Sequence, residues 1–132
     1  MENMDQNYYV LDNGKSAVDY IYAYDLGFSY GNCFKYCTRA GKKEGNSAEK
    51  DFNKALVYIL SSNNEIGFFH RIAKSMYNTW KFNDKIQFAP RNLADILCAI
   101  IQFKDRRTIA KLIIRYMKTN HINVKPEFLK YA

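Results

Sequence analysis

The stretch NSAEKDFNKALVYIL, residues 46–60, decides the fold class because it combines a helix start with a single apolar face. Asn46 or Ser47 can cap the helix, and Asn46 and Glu49 have the spacing of a capping box. Apolar residues then recur every three or four positions, which is the pattern of a helix buried along one side. They are Phe52, Ala55, Leu56, Ile59 and Leu60.

The same stripe appears twice more toward the C-terminus. One helix is predicted to begin at Asn92, and the next follows Asp105, which can cap it. Their apolar positions are Leu93, Ile96, Leu97, Ile100 and Ile101 in the first, and Ile109, Leu112, Ile113, Tyr116 and Met117 in the second. An apolar helix face is stable only when another element covers it, so three matching stripes predict helices that pack against one another.

Three further helices are predicted from weaker signals. Ser16 caps a helix over about residues 16–26, after which Gly27 stands where a C-terminal glycine belongs. Ser29 opens the next helix, which ends or bends at Gly41. The third covers about residues 64–80 and is expected to bury some of its apolar residues, which are Ile66, Phe69, Ile72, Ala73, Met76 and Tyr77.

The resulting prediction is an all-α protein, a compact bundle of five or six short helices in a single domain. Residues 1–14 are expected to be irregular, and residues 15–132 to form the helical domain, with residues 15–62 and 63–132 as its two parts. A chain of 132 residues, 48% of them hydrophobic, can bury a core without metals or disulfides.

The composition favours a cytoplasmic protein. Three cysteines is an odd number, and no secretory pattern surrounds them. The N-terminal sequence MENMDQNYYV lacks the basic and apolar regions of a signal peptide. The longest apolar run, residues 96–101, is far shorter than the roughly 20 residues that cross a bilayer. We therefore expect no membrane partner.

The charge is unevenly distributed. The formal net charge is +7, yet residues 1–32 carry five acidic residues and only one cation, Lys15. The basic remainder of the chain favours polyanions or acidic proteins as partners, although a charged surface also serves solubility alone.

Four cations in residues 35–43 predict a site for phosphate or another anion. They are Lys35, Arg39, Lys42 and Lys43. The first two share a helix face, and the other two lie at the helix end beside glycine-containing backbone. The alternative interpretation is that they offset the dipole at a helix C-terminus. The segment is not a P-loop, because it lacks the spaced glycines and the final Lys-Ser/Thr pair.

A second basic set lies on the helix after Asp105. It consists of Arg106, Arg107, Lys111, Arg115 and Lys118. Most of these residues form a row opposite the apolar stripe, with no acidic residue among them after Asp105. Such a row predicts a surface that binds a partner protein or nucleic acid, and its alternative is an ordinary solvated helix face.

Large apolar residues crowd residues 68–82. Because they cannot all face one core, Phe68, Tyr77, Trp80 and Phe82 are predicted to form an aromatic contact patch for a partner or for self-association. Core and loop packing is the alternative.

The sequence contains no convincing metal or nucleophile pattern. Cys33 and Cys37 have the spacing of two ligands of one metal, a site that Cys98 and His70 would complete. Cys33 and Cys37, however, fall on an apolar helix stripe and are predicted to be core. No metal site is therefore predicted. His70 and His121 are expected to be ordinary surface or half-buried residues.

Residues of about 16–60 resemble the phage SaV-like family, a domain of unknown function that includes a phage nucleotide kinase without a P-loop. The matching positions, in order, are Asp19-Tyr20-Ile21, Gly31-Asn32, Lys35-Tyr36, Arg39-Ala40-Gly41-Lys42-Lys43, Asp51 and Lys54-Ala55. The resemblance implies a phage or prophage origin and a bacterial host cytoplasm. It also implies deoxynucleoside monophosphate phosphorylation, in which the four cations would hold phosphate and Asp51 would help with magnesium or orientation. A structural ion pair of Asp51 with Lys54 or Lys43 is the alternative.

Three functional hypotheses follow. The first is a small basic phage accessory protein that acts by binding, an anti-defence inhibitor or modulator of a host protein or nucleic-acid-handling complex, in the manner of anti-CRISPR proteins, without a cofactor. The second is the nucleotide kinase, with Mg²⁺. The third is a direct nucleic-acid-binding protein.

Overall fold

The computed structural model describes residues 14–42, 47–82 and 91–132, and the side chains of the last range from residue 93 onward. These residues form six α-helices and two short 3₁₀ segments, without a β-strand, so the all-α prediction is confirmed. The helices are α1 (Ala17–Ala23), α2 (Gly27–Arg39), α3 (Ala48–Leu60), α4 (Phe68–Lys81), α5 (Arg91–Ile101) and α6 (Arg106–Thr119). The 3₁₀ segments are Ser62–Asn64 and Pro126–Tyr131.

The core lies between α2, α3, α5 and α6. Helix α2 packs against α1, α3 and α5, and α6 packs against α3 and α5. The stripe of α3 is buried at Phe52, Ala55, Leu56 and Ile59, with Leu60 half-buried. The stripes of α5 and α6 belong to the same core, in which α6 packs against both α3 and α5, while α2 covers the other side of α3 and α5.

Three helices end at a residue in the left-handed conformation that is not glycine. Asp25 after α1, Phe103 after α5 and His121 after α6 have φ angles of 49°, 51° and 58°. In each case the following amide donates a hydrogen bond to the carbonyl five residues earlier, at 3.0, 3.1 and 2.8 Å. This is the Schellman geometry, which satisfies helix carbonyls that would otherwise lack donors.

Gly27 does not end α1 as expected. Asp25 takes that role, and Gly27 begins α2 with a φ of 76°. Helix α2 therefore starts two residues before Ser29. Its N-terminus is capped by Glu65, whose carboxylate accepts hydrogen bonds of 2.8 Å from the Phe28 and Ser29 amides and 2.6 Å from the Ser29 hydroxyl.

Helix α4 differs most from its prediction. Of the side chains expected to enter the core, Ile66 and Ile72 are half-buried, whereas Phe69, Ala73, Met76 and Tyr77 are exposed. Within α4 the fully buried side chain is that of a polar residue, Asn78. The helix therefore lies on the bundle with its polar side inward.

Candidate binding surface

The α6 basic row consists of Arg107, Lys111, Arg115 and Lys118, and all four side chains are exposed. The opposite side of α6 is anchored in the core by Ile109, Ile113 and Met117. Two ion pairs join described residues, Arg39–Asp51 and Lys74–Asp25, and neither involves α6. The row therefore presents positive charge on a helix whose orientation is fixed by packing. Arg106, which precedes it, is half-buried.

Two open depressions flank the first turn of α6. The first, of about 440 Å³, is lined by Arg107, Lys111 and Thr108 together with Lys130 and Tyr131 of the C-terminal 3₁₀ segment. Because Lys130 approaches the row from another element, the cationic surface is wider than one helix face. Tyr131 places an aromatic ring beside these cations.

The second depression, of about 560 Å³, lies between the N-terminal ends of α4 and α6. Arg71, Arg106 and Arg107 line it. Arg71 is held in place because its guanidinium donates a hydrogen bond of 2.8 Å to the Phe103 carbonyl. The depression therefore extends the cationic surface from α6 toward α4.

Asp105 supplies the one acidic side chain in this second depression. It caps α6 by accepting hydrogen bonds from the Thr108 amide at 3.2 Å and the Thr108 hydroxyl at 2.6 Å. Partial burial works to raise the pKa of this carboxyl, but the Thr108 hydrogen bonds and the charge of Arg71 together hold it below its usual value. Asp105 is therefore an ionised helix cap.

The predicted anion site of residues 35–43 is not assembled on the surface. Arg39 is only 5% exposed, and its guanidinium bonds to the fully buried carboxylate of Asp51 at 2.9 Å. Asp51 therefore pairs with Arg39 rather than with Lys54, while the alternative partner Lys43 lies outside the described residues. Because each group neutralises the other inside the α2–α3 interface, neither is presented to a phosphate or a magnesium ion.

The lysines of that predicted site have different surroundings. Lys35 is half-buried and Lys42 is exposed after the Gly41 turn, while Lys43 lies outside the described residues. Lys35 and Lys54 place their ammonium groups 4.8 and 5.3 Å from the centre of the Tyr36 ring, and the Arg39 guanidinium lies 4.7 Å from it. These cations converge on an aromatic ring, which attracts them through its π-face. Anion binding by the lysines stays a prediction.

The α4 apolar face consists of Phe68, Phe69, Ala73, Met76, Tyr77 and Trp80. Its five large side chains are between 57% and 83% exposed. Two ring pairs lie within it: Phe68 and Phe69 meet edge-on with centroids 5.3 Å apart, and Tyr77 and Trp80 lie 5.9 Å apart. Phe68, Tyr77 and Trp80 are thus exposed, as predicted.

Phe82 does not belong to this face. It is half-buried and meets the Tyr24 ring edge-on, with centroids 5.7 Å apart. The chain leaves the helix at Phe82, whose φ and ψ are no longer helical, so the side chain turns toward the core. Phe69 and Met76 were not singled out as contact residues, although their spacing with Ala73 and Trp80 forms a helical stripe that marks them.

Side chains on the inward side of α4 donate hydrogen bonds to backbone carbonyls at the C-terminal ends of α1 and α5. Asn78 donates hydrogen bonds to the carbonyls of Tyr24 at 3.0 Å and Ile101 at 2.9 Å. Lys81 and Lys74 donate to the carbonyls of Ala23 and Asp25. The C-terminal ends of α1 and α5 are negative dipole ends, so the inward cations of α4 complement them.

Cys33, Cys37 and the two histidines are placed as the sequence predicted. Cys33 and Cys37 are buried and Cys98 is half-buried, and burial raises the pKa of the Cys33 thiol well above its usual value. His70 and His121 are exposed. Within the three described ranges, no three His, Cys, Asp or Glu side chains come together as a metal site would require. In the same ranges, none of the helices has both the length and the apolar character of a membrane span.

Comparison with known proteins adds a family resemblance for the first part of the chain. Residues 8–60 match the model of a family described as a protein of unknown function, DUF3310. The match includes α1, α2 and α3 and ends before α4, so it covers less than half of the chain. No curated protein and no solved structure matches the chain. The comparisons thus carry neither the SaV-like name nor an activity.

Proposed function

We propose that the protein acts by binding, and that it docks on the acidic surface of a macromolecule through the α6 basic row. The observation that carries the proposal is the row itself: four exposed cations on a rigid helix, outside the ion pairs that join described residues. Unneutralised charge of one sign on a fixed element favours encounter with an opposite surface and sets its register.

The surroundings of the row support the same proposal. The depressions beside it add Arg71, Arg106 and Lys130, so the cationic area extends over α4, α6 and the C-terminal segment. The row alone extends along roughly 16 Å of helix, since eleven residues separate its ends. That length suits a macromolecular partner better than a small anion.

The partner we propose is a host protein or a nucleic-acid-handling complex, which a small phage accessory protein would inhibit or modulate. The phage context rests on the sequence resemblance of residues 16–60. The nucleotide-kinase alternative has less support from the geometry, because Arg39 and Asp51 form an ion pair with each other inside the α2–α3 interface.

Direct binding to nucleic acid is the second candidate, and the ring of Tyr131 beside Arg107, Lys111 and Lys130 favours it. Cations that follow a phosphate backbone beside a ring that stacks on bases are the usual elements of single-strand recognition.

The test compares the wild type with the triple variant Arg107→Glu, Lys111→Glu and Arg115→Glu. A control variant, Lys15→Glu, Lys50→Glu and Lys125→Glu, makes the same change in net charge at exposed positions away from α6. Each protein is used to capture partners from bacterial lysate, with and without nuclease, and the captured partner is then titrated in purified form. A partner that the α6 variant loses and the control retains supports the proposal. Equal capture by all three proteins contradicts it.

The nuclease arm separates the two candidates. A partner that survives nuclease treatment is a protein, whereas capture that disappears indicates nucleic acid. In the second case the affinity for generic DNA or RNA should fall steeply with salt, and the slope of log K against log salt should decrease by about 3 in the triple variant, one unit for each phosphate contact removed.

A further inference from the structure

The orientation of α4 is fixed by specific contacts. Its inward residues, Arg71, Lys74, Asn78 and Lys81, all donate hydrogen bonds to carbonyls at the C-terminal ends of α1 and α5. These residues recur every three or four positions, so they define one side of the helix. The apolar side is consequently directed away from the bundle, and rotating the helix would leave the buried carbonyls without donors.

We propose that the α4 apolar face binds the same face of a second copy of this chain, which makes the protein a homodimer. This inference is independent of the α6 basic row and of the function proposed for it. A two-fold dimer brings one surface patch against itself, so the patch must be complementary to itself in charge and in shape.

The orientation of α4 on the bundle meets the requirement that the patch be complementary to itself in charge. The chain has a formal net charge of +7, so most of its surfaces would repel a second copy. Helix α4 contains no Asp or Glu, and its three Lys and Arg residues donate to carbonyls beneath the helix. Arg71 and Lys81 reach the edge of the face, where each lies 5.9 Å from the centre of a ring, Phe68 and Tyr77 respectively. Because the middle of the face, around Ala73 and Met76, contains no charged side chain, two α4 apolar faces can meet there without bringing like charges together.

The area of the face suits the apolar centre of an interface. Large side chains bury roughly 150–250 Å² each, so five of them at the exposures given above offer about 600 Å². A stable interface buries roughly 800 Å² on each partner, and its centre is the most apolar part. The face thus supplies the apolar centre of a dimer interface, and the polar side chains of His70 and Thr79 lie next to it in the helix.

The order of residues along α4 suits an antiparallel pair. With the two-fold axis between Ala73 and Met76, Phe69 lies opposite Trp80 of the second copy, and Ala73 lies opposite Met76. A small residue therefore faces a long, flexible one at the centre, where the two helices approach most closely, and aromatic rings pair at both ends.

The test measures the mass of the full-length protein by light scattering during size-exclusion chromatography over a range of concentrations. The wild type should have twice the mass of the chain. Ala73→Glu puts two like charges near the axis at an exposed helix position and should weaken dimerisation about a hundredfold or more. Val57→Glu places the same charge at an exposed apolar position of α3 and should leave the dimer intact. Thermal melting by circular dichroism should show that all three proteins are folded.

Cross-linking provides a second readout that does not depend on affinity. Met76→Cys lies near the proposed axis and should form an intermolecular disulfide under mild oxidation, whereas Tyr22→Cys, which is 81% exposed on α1, should not. A wild type that stays monomeric at the highest concentrations overturns the proposal, including the case in which it binds lipid vesicles or another protein through α4. A dimer that Ala73→Glu leaves unchanged, or cross-linking that favours Tyr22→Cys, overturns it as well.

Discussion

Arg39 on α2 and Asp51 on α3 form an ion pair of 2.9 Å that is almost completely shielded from water. Removing one partner leaves an uncompensated charge in the core, which typically costs about 3–5 kcal/mol. We therefore expect Asp51→Ala to lower the free energy of unfolding by that amount. The double variant Arg39→Met, Asp51→Leu should lose much less, because no charge remains buried. Urea denaturation of the single variants Arg39→Met and Asp51→Leu and of the double variant measures the coupling, and additive losses would contradict the interpretation.

The cap that Glu65 provides for α2 should be worth about 1–2 kcal/mol, since it satisfies two helix amides and one hydroxyl with a charged acceptor. Glu65→Ala should reduce the unfolding free energy by this amount and speed hydrogen exchange at the Phe28 and Ser29 amides. Glu127→Ala, at an exposed acidic residue of the C-terminal segment, serves as the control. Unchanged exchange at the start of α2 would show that Glu65 does not cap it in solution.

Asn78 should be the residue on which the attachment of α4 depends most, because its amide group holds carbonyls of both α1 and α5. Replacing it by Leu leaves two buried acceptors without donors, and we expect a loss of about 2–4 kcal/mol in unfolding free energy. Thr79→Ala changes the exposed neighbouring residue and should have an effect below about 0.5 kcal/mol. Similar losses for the two variants, measured by urea denaturation, would argue against the polar attachment.

Tyr30 predicts a stability change at alkaline pH. Burial raises the pKa of its hydroxyl from 10.0 to about 12, although the charge of Arg71 opposes the shift. Since the pKa is higher in the folded protein, the native state favours the neutral form. The stabilisation is complete below pH 10 and is lost as the pH rises through about 12, a change of about 2 kcal/mol.

Tyr30→Phe isolates this contribution from the other groups that titrate at high pH. The variant loses the hydrogen bond from the hydroxyl to the Lys104 carbonyl, so it should be less stable than the wild type near neutral pH. The difference between the two proteins should shrink from pH 10 to 12 when urea denaturation is followed across that range. A difference that is independent of pH would disprove the assignment.

Periodicity was enough to predict most of the bundle. The stripes of α3, α5 and α6 are regular and apolar at every core position, so local pattern and tertiary packing agree. The exposure of Lys111 and Arg115 followed from the same argument, because they lie opposite the buried stripe. The predicted C-terminal end of α1 and the predicted start of α2 were wrong. Asp25 ends α1 in a left-handed conformation that sequence rules assign first to glycine.

Helix α4 shows where the pattern is insufficient. An apolar stripe indicates that a helix is amphipathic but does not state which side meets the bundle. Here the polar side meets it, because carbonyls at two helix ends offer partners that only the folded chain brings together. The Glu65 cap and the Arg39–Asp51 pair are likewise tertiary: the cap spans 36 and 37 residues, and the pair joins two helices whose charges look solvated in the sequence.

The polar attachment of α4 to the bundle also affects the order in which parts of the molecule unfold. Detaching α4 from the bundle exposes carbonyl groups that water can hydrate, whereas separating α2 from α3 exposes the apolar core. Detachment of α4 is therefore expected to require less free energy than global denaturation. In the monomeric Ala73→Glu variant, under conditions that keep the bundle intact, amide deuteration should reach residues 68–81 before the other five helices, and cleavage within the helices by limited proteolysis should begin there.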